Sequence, residues 1–210
     1  MVEFDDFKLY LPQYLPADSL EDMFDDIKKF VQTGSSDEVY TPELKDQIQI
    51  FQGDALNELP FITFPHDSAP VNCKAIILSN SCDINPENSR PFNSYLLYSP
   101  IWKLSAYIEL LKKEGLNKEK LINHVIDIKN QAVTQILYLP QHHDGPDEEC
   151  IVFLDRICHC DSAFISCDTI QDKRLFSFGN FGFYLFLLKI SIHFTRVREK
   201  IDRDKGEILS

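Results

Sequence analysis

Apolar residues at three-and-four spacing predict the first element of this chain. Leu20, Met23, Phe24, Ile27, Phe30 and Val31 fall on one side of a helix over residues 19–31. Asp18 or Ser19 caps its start, Lys28 and Lys29 suit its negative end, and Gly34 stops it. A second, short helix is expected from Thr41-Pro42, with Thr41 as cap, Pro42 in the first helical position and Leu44, Ile48 and Phe51 inside.

The pattern then changes. Gly53-Asp54 signals a turn, and residues 59–65 read as an extended segment. Ile76-Ile77-Leu78 is an aliphatic strand running straight into a small polar cluster, Ser79-Asn80-Ser81-Cys82-Asp83. Tyr95 to Tyr98 reads as another short strand, ended by Ser99-Pro100. Helical spacing returns at 101–114 (Ile101, Leu104, Ile108, Leu111), stopped by Gly115. Asn117 caps a further helix with Leu121, Val125 and Ile128 inward. Ile136 to Leu139 and Ile151 to Leu154 read as strands flanking an acidic loop, 141–149. A long helix is expected over about 172–201, apolar all round in its first half. The organisation is thus a helical arm (1–52) and a second unit (53–210) with a helical insert at 101–135. The class is α+β, with short strands in a barrel or a strongly bent antiparallel sheet.

Composition narrows the partners. The 210 residues carry a net charge of −12, a field that disfavours RNA and favours a basic protein partner. The greasiest tract, 175–188, falls short of the ~20 apolar residues a membrane span needs, so no membrane role is expected. The acidic N-terminus is unlike a secretory leader. A cytoplasmic location follows, in which the six cysteines stay reduced.

Three groups of residues carry candidate chemistry. Cys82 and Asp83 stand at the end of a strand, where a thiol with a nearby base or cation becomes a nucleophile. The plain alternative is a small buried cysteine, with Asp83 capping a turn. His142-His143-Asp144 and Cys158-His159-Cys160 are metal-ligand types. On a strand Cys158 and Cys160 point one way and His159 the other, and without a second matching pair no metal is expected. Arg196 and Lys200 share a helix face and suit phosphate binding or a plain solvated helix end. No serine-hydrolase elbow or phosphate-binding loop is present, and no cofactor is expected.

Gly53-Asp54, then Lys74 to Ser79, then Tyr95 to Pro100, and later Ile151 to Asp161 followed by a helix, resemble the MazF/PemK family over roughly residues 50–200. The run Ser79 to Ile84 is also similar to a Ser-x-x-Cys-Asp-Ile-like signature in a group of uncharacterised bacterial barrel proteins. The resemblance implies a small SH3-like antiparallel barrel and, for many members, toxin endoribonuclease activity within a toxin–antitoxin pair. Lys74-Ala75 stands where the ribonucleases usually carry Arg-Pro, and Pro100 is followed by Ile101 and Trp102 rather than a hydroxyl. Three functional readings result. The first is a toxin–antitoxin or antiphage-defence protein acting mainly through protein contacts, possible homodimers included. The second is a diverged endoribonuclease, with Lys74 holding a phosphate, Ser79 or Cys82-Asp83 in the chemistry, and Arg90, Arg196 and Lys200 lining a positive groove. The third is a cysteine-dependent enzyme using Cys82.

Overall fold

The computed structural model describes residues 39–62, 69–85, 87–88, 90–165 and 169–195, and the backbone of 201–202 and 207–208. The expected helix at 19–31 lies outside the described residues. So do Arg196, Lys200 and the end of the expected C-terminal helix.

Eight strands form one antiparallel sheet. In chain order they are β1 (Tyr40–Thr41), β2 (Ala55–Phe61), β3 (Val71–Ile77), β4 (Tyr95–Lys103), β5 (Ile136–Leu139), β6 (Cys150–Phe153), β7 (Cys158–Asp161) and β8 (Arg174–Phe178). The order across the sheet is β1-β8-β2-β3-β4-β6-β5, with β7 also on β4. A short helix α1 (Ser81–Ile84) follows β3, and the insert forms α2 (Leu104–Lys113) and α3 (Lys118–Lys129). Near the end come α4 (Ile170–Lys173) and α5 (Asn180–Thr195). A separate two-stranded ribbon pairs Ile201–Asp202 with Glu207–Ile208.

The antiparallel sheet expected around residues 74–79 is present, but it is open: no backbone ladder joins its edge strands β1 and β5. Side chains draw the two ends together. The Tyr40 hydroxyl on β1 donates to the carbonyl of Pro140, just after β5, at 3.0 Å. Leu137, Leu139 and Val152 share one core with Tyr40, Phe176 and Phe178 from the other end. Gly145 is packed so closely on Tyr40 that a Cβ there would lie 2.6 Å from the ring. The sheet therefore curls, and its seam is closed by aromatic packing.

Strand β3 is covered on both faces, which is why it reads as an unbroken aliphatic run. Ile76 belongs to the core inside the curl, while Ala75 and Ile77 pack with Leu56, Leu96 and Tyr98 on the other side. Strand β4 bends across three partners. Its first half pairs with β7 through Tyr98↔Cys158, and its last residues pair with β6 from Ile101↔Val152. The strand therefore does not end at Ser99-Pro100. Pro100 falls in the gap between those two partners, so its missing N–H removes no ladder bond on that side. The Ser99 hydroxyl spans the gap by donating to the Phe153 carbonyl at 2.6 Å. The insert consequently starts at Leu104, and Asn117 caps α3 as expected, its side chain accepting from the Glu119 amide.

Two expected helices are corrected. Residues 42–50 form turns, because their carbonyls are taken by a side chain instead of by amides four residues on. The Arg174 guanidinium donates to the carbonyls of Leu44 (2.7 Å), Lys45 (3.3 Å), Gln47 (2.6 Å) and Gln49. The tract expected as one long helix from about 172 is helix, strand, helix. Residues 174–178 pair with β2 and β1, and the Gly179-Asn180 step starts α5. A tract that is apolar all round carries no period to separate buried strand from buried helix. Helix α5 then docks on β1 at Gly182, where a Cβ would lie 2.0 Å from the Val39 carbonyl oxygen. Among the described residues no helix is long and apolar enough to cross a membrane.

Candidate functional site

The polar cluster after β3 is built by its local turn. Asn80 caps α1, its side chain accepting from the Cys82 amide at 2.9 Å. Ser79 is buried, and its hydroxyl is engaged by β4: it accepts from the Leu97 amide at 2.7 Å and donates to the Tyr95 carbonyl at 3.3 Å. Cys82 is exposed. Asp83 forms an ion pair with Arg90 at 2.7 Å, and Arg90 also reaches the Cys82 carbonyl at 3.4 Å. The structure thus brings Cys82, Asp83 and Arg90 together. The guanidinium serves the carboxylate and a carbonyl, and no described histidine hydrogen-bonds to the thiol. Among the described residues the cluster orders a loop, and its one carboxylate, Asp83, is engaged by Arg90.

Lys74 lies elsewhere, roughly 16 Å from Ser79 at the rise of an extended strand. It borders a cleft of about 410 Å³ at the seam of the curled sheet, between β3, β4, β8 and the loop before β6. Ile101, Leu175 and Phe176 supply apolar walls, and Lys74, Lys103, Asp147 and Glu148 supply charge. Lys103 is already paired with Glu148. Among the described residues two cations and two anions line this cleft, a balanced and not a positive lining, while Arg196 and Lys200 lie outside them. Cys150 also lines the cleft, and burial pushes its thiol up to about 11, keeping it protonated at neutral pH.

The metal-ligand types separate into two places. The donor atoms of His142, His143 and Asp144 lie within 4.8 Å of one another, the one such group among the described residues. They already bind each other: His142 Nδ1 accepts from the Asp144 amide at 3.1 Å, and His143 Nε2 meets the Asp144 carboxylate at 2.9 Å. Cys158 and Cys160 point inward toward Tyr98 and Leu96, and exposed His159 packs edge-on against Tyr95, as strand alternation requires.

Sequence reasoning missed a buried polar node built on Asp54 and Arg174. Asp54, next to the Gly53 turn, accepts from the Phe51 amide (2.9 Å), the Ser177 hydroxyl (2.6 Å) and Arg174 (3.1 Å). Burial pushes its carboxyl upward, while these donors pull the other way. The node joins β2, β8 and the 42–50 turns. Its only sequence signal was a lone arginine at the head of an apolar tract.

Among the described residues, one exposed apolar pair lies on the sheet itself, on β4. Tyr95 and Leu97 on β4 stand on the outer face beside His159 and Asp161 of β7, and the exposed Phe92 and Phe164 lie beyond the Tyr95–Asp161 end of that pairing. Tyr95 is 53% exposed and Leu97 43%. No protein-family model matches this chain, and no curated protein resembles it at a significant level.

Proposed function

We propose that this protein acts through contacts with a protein partner, as an accessory component of a toxin–antitoxin or antiphage-defence system, on a diverged MazF/PemK-like sheet. The observation that carries the reading is the exposed pair Tyr95 and Leu97, facing outward on β4 beside His159 of β7. Clusters of exposed aromatic and aliphatic side chains rimmed by polar groups are characteristic of interfaces. The curled antiparallel sheet followed by a helix supports the finer fold assignment. The charge-balanced cleft at Lys74 weighs against RNA cleavage, and the net charge of −12 suits a basic partner.

The test is co-expression with the product of the neighbouring open reading frame. A defined complex should survive gel filtration, and Tyr95→Asp with Leu97→Asp should dissolve it without changing the melting temperature of the protein alone. In parallel, the wild type and Lys74→Ala are expressed and scored for growth arrest and cut transcripts. Arrest with cleaved RNA that Lys74→Ala abolishes would replace this reading with the endoribonuclease one.

A further inference from the structure

We propose that the cleft at the seam of the curled sheet binds a small zwitterion with an apolar side chain, of the size of an amino acid or dipeptide. The cleft is separate from the outward pair on β4, so this goes beyond the partner-binding reading, and either can fail alone.

Its volume of about 410 Å³ lies inside the ~300–1,000 Å³ range of small-molecule sites. The apolar walls, Ile101, Leu175 and Phe176, come from strands that the fold holds rigidly. Two charges at its rim are left over. Lys103 and Glu148 satisfy each other, whereas Lys74 and Asp147 have no ion-pair partner among the described residues. All four line the same cleft as Cys150. A carboxylate can thus be met by Lys74 and an ammonium by Asp147, with the side chain against Phe176. The choice of a zwitterion over an anion follows from the long-range field. A net charge of −12 repels a free anion but leaves a neutral dipolar molecule untouched.

The experiment titrates leucyl-leucine, its N-acetyl derivative and its C-terminal amide into the full chain, by calorimetry and amide chemical shifts. The dipeptide is expected to saturate at about millimolar concentration or below, and each derivative to bind about fivefold more weakly, the value of one partly exposed ion pair. Shifts should centre on Ile101, Cys150, Leu175 and Phe176. Lys74→Met should abolish the preference for the dipeptide over its amide, and Asp147→Asn the preference over the N-acetyl form. Both side chains sit at the surface, and the derivative series on the wild type decides the matter even if a variant folds poorly. Absence of saturation up to about 10 mM, equal affinity for all three probes, or shifts confined to Tyr95 and Leu97 would each overturn the proposal.

Discussion

Replacing Arg174 should cost more stability than any surface change in this chain. Its side chain is only 1% exposed, as is that of its partner Asp54. Arg174→Met removes one cation and leaves the Asp54 carboxylate beside apolar atoms. It also strands the carbonyls of Gln47 and Gln49, which the guanidinium now serves; that of Leu44 keeps the Gln47 amide. Removing one member of a buried ion pair costs about 3–5 kcal/mol. The carbonyls near the surface can turn to water, so they add little, and about 4 kcal/mol is the expected loss. That is a large fraction of the ~5–15 kcal/mol holding a domain of this kind together. Lysine should rescue only part of it. One ammonium offers three donors at a point and cannot reproduce a planar fork spread over four carbonyls and a carboxylate.

The assay is urea unfolding followed by fluorescence and far-UV circular dichroism, on the wild type, Arg174→Met, Arg174→Lys and the double variant Asp54→Asn/Arg174→Met. The double variant should recover part of the loss, since the orphaned charge is gone. A local readout accompanies the global one. Lys45 is exposed within the turns that Arg174 holds, so trypsin should cut there faster in Arg174→Met at denaturant concentrations where both proteins remain folded. A loss below about 1 kcal/mol with unchanged proteolysis would refute the argument, because it would mean the turns hold themselves and the node is incidental.

Two further outcomes follow from buried and exposed groups. Lys189 is buried on α5, and burial lowers its ammonium to about 8, while its Nζ donates to the carbonyls of Gln131 (2.9 Å) and Val133 (2.6 Å). Below about pH 8 both folded and unfolded chains carry this proton, and the folded state bears the cost of the buried charge. As pH rises toward the unfolded value of 10.5 the folded chain releases the proton first, so the stability of the wild type should rise relative to Lys189→Met, by up to roughly 3 kcal/mol. Taking the difference between the two proteins cancels the tyrosine and cysteine titrations, and a difference that stays flat from pH 7 to about 10 would show that the site is wet. Among the described cysteines, native iodoacetamide labelling should modify Cys82 first and Cys150 last, because Cys82 is exposed and Cys150 is buried with its thiol pushed up. A Cys82 rate about tenfold above that of a cysteine in the unfolded chain would restore the cysteine-enzyme reading.

The sequence was most readable where one local rule acted alone. Ile136 to Leu139 is a strand at the expected residues, and Asn117 caps the helix that its side chain predicts. Reading failed where a distant residue decided the local structure. Thr41-Pro42 is a good helix start by every local measure, yet Arg174, more than 120 residues away, takes the carbonyls that a helix would need. The tract at 174–188 failed for a different reason: with apolar residues on every side, strand and helix leave the same trace, and only pairing with β1 and β2 separates them. The candidate site split for a third. Lys74 and Cys82 are near in sequence, but an extended strand carries its two ends to different surfaces.

The location of the cleft follows from how the sheet is finished. A ladder-closed barrel fills its seam with backbone, leaving no room there. Here β1 and β5 meet through one tyrosine hydroxyl and a glycine pressed against its ring, so the loop from Gly145 to Glu148 must lie over the gap. That loop brings Asp147 and Glu148 against Lys74 and Lys103 from strands on the other side. The charges at the rim and the apolar floor thus have one cause, an antiparallel sheet that stops one ladder short of closure. Whatever fills the cleft would therefore touch β3, β4, β8 and the loop before β6 at once.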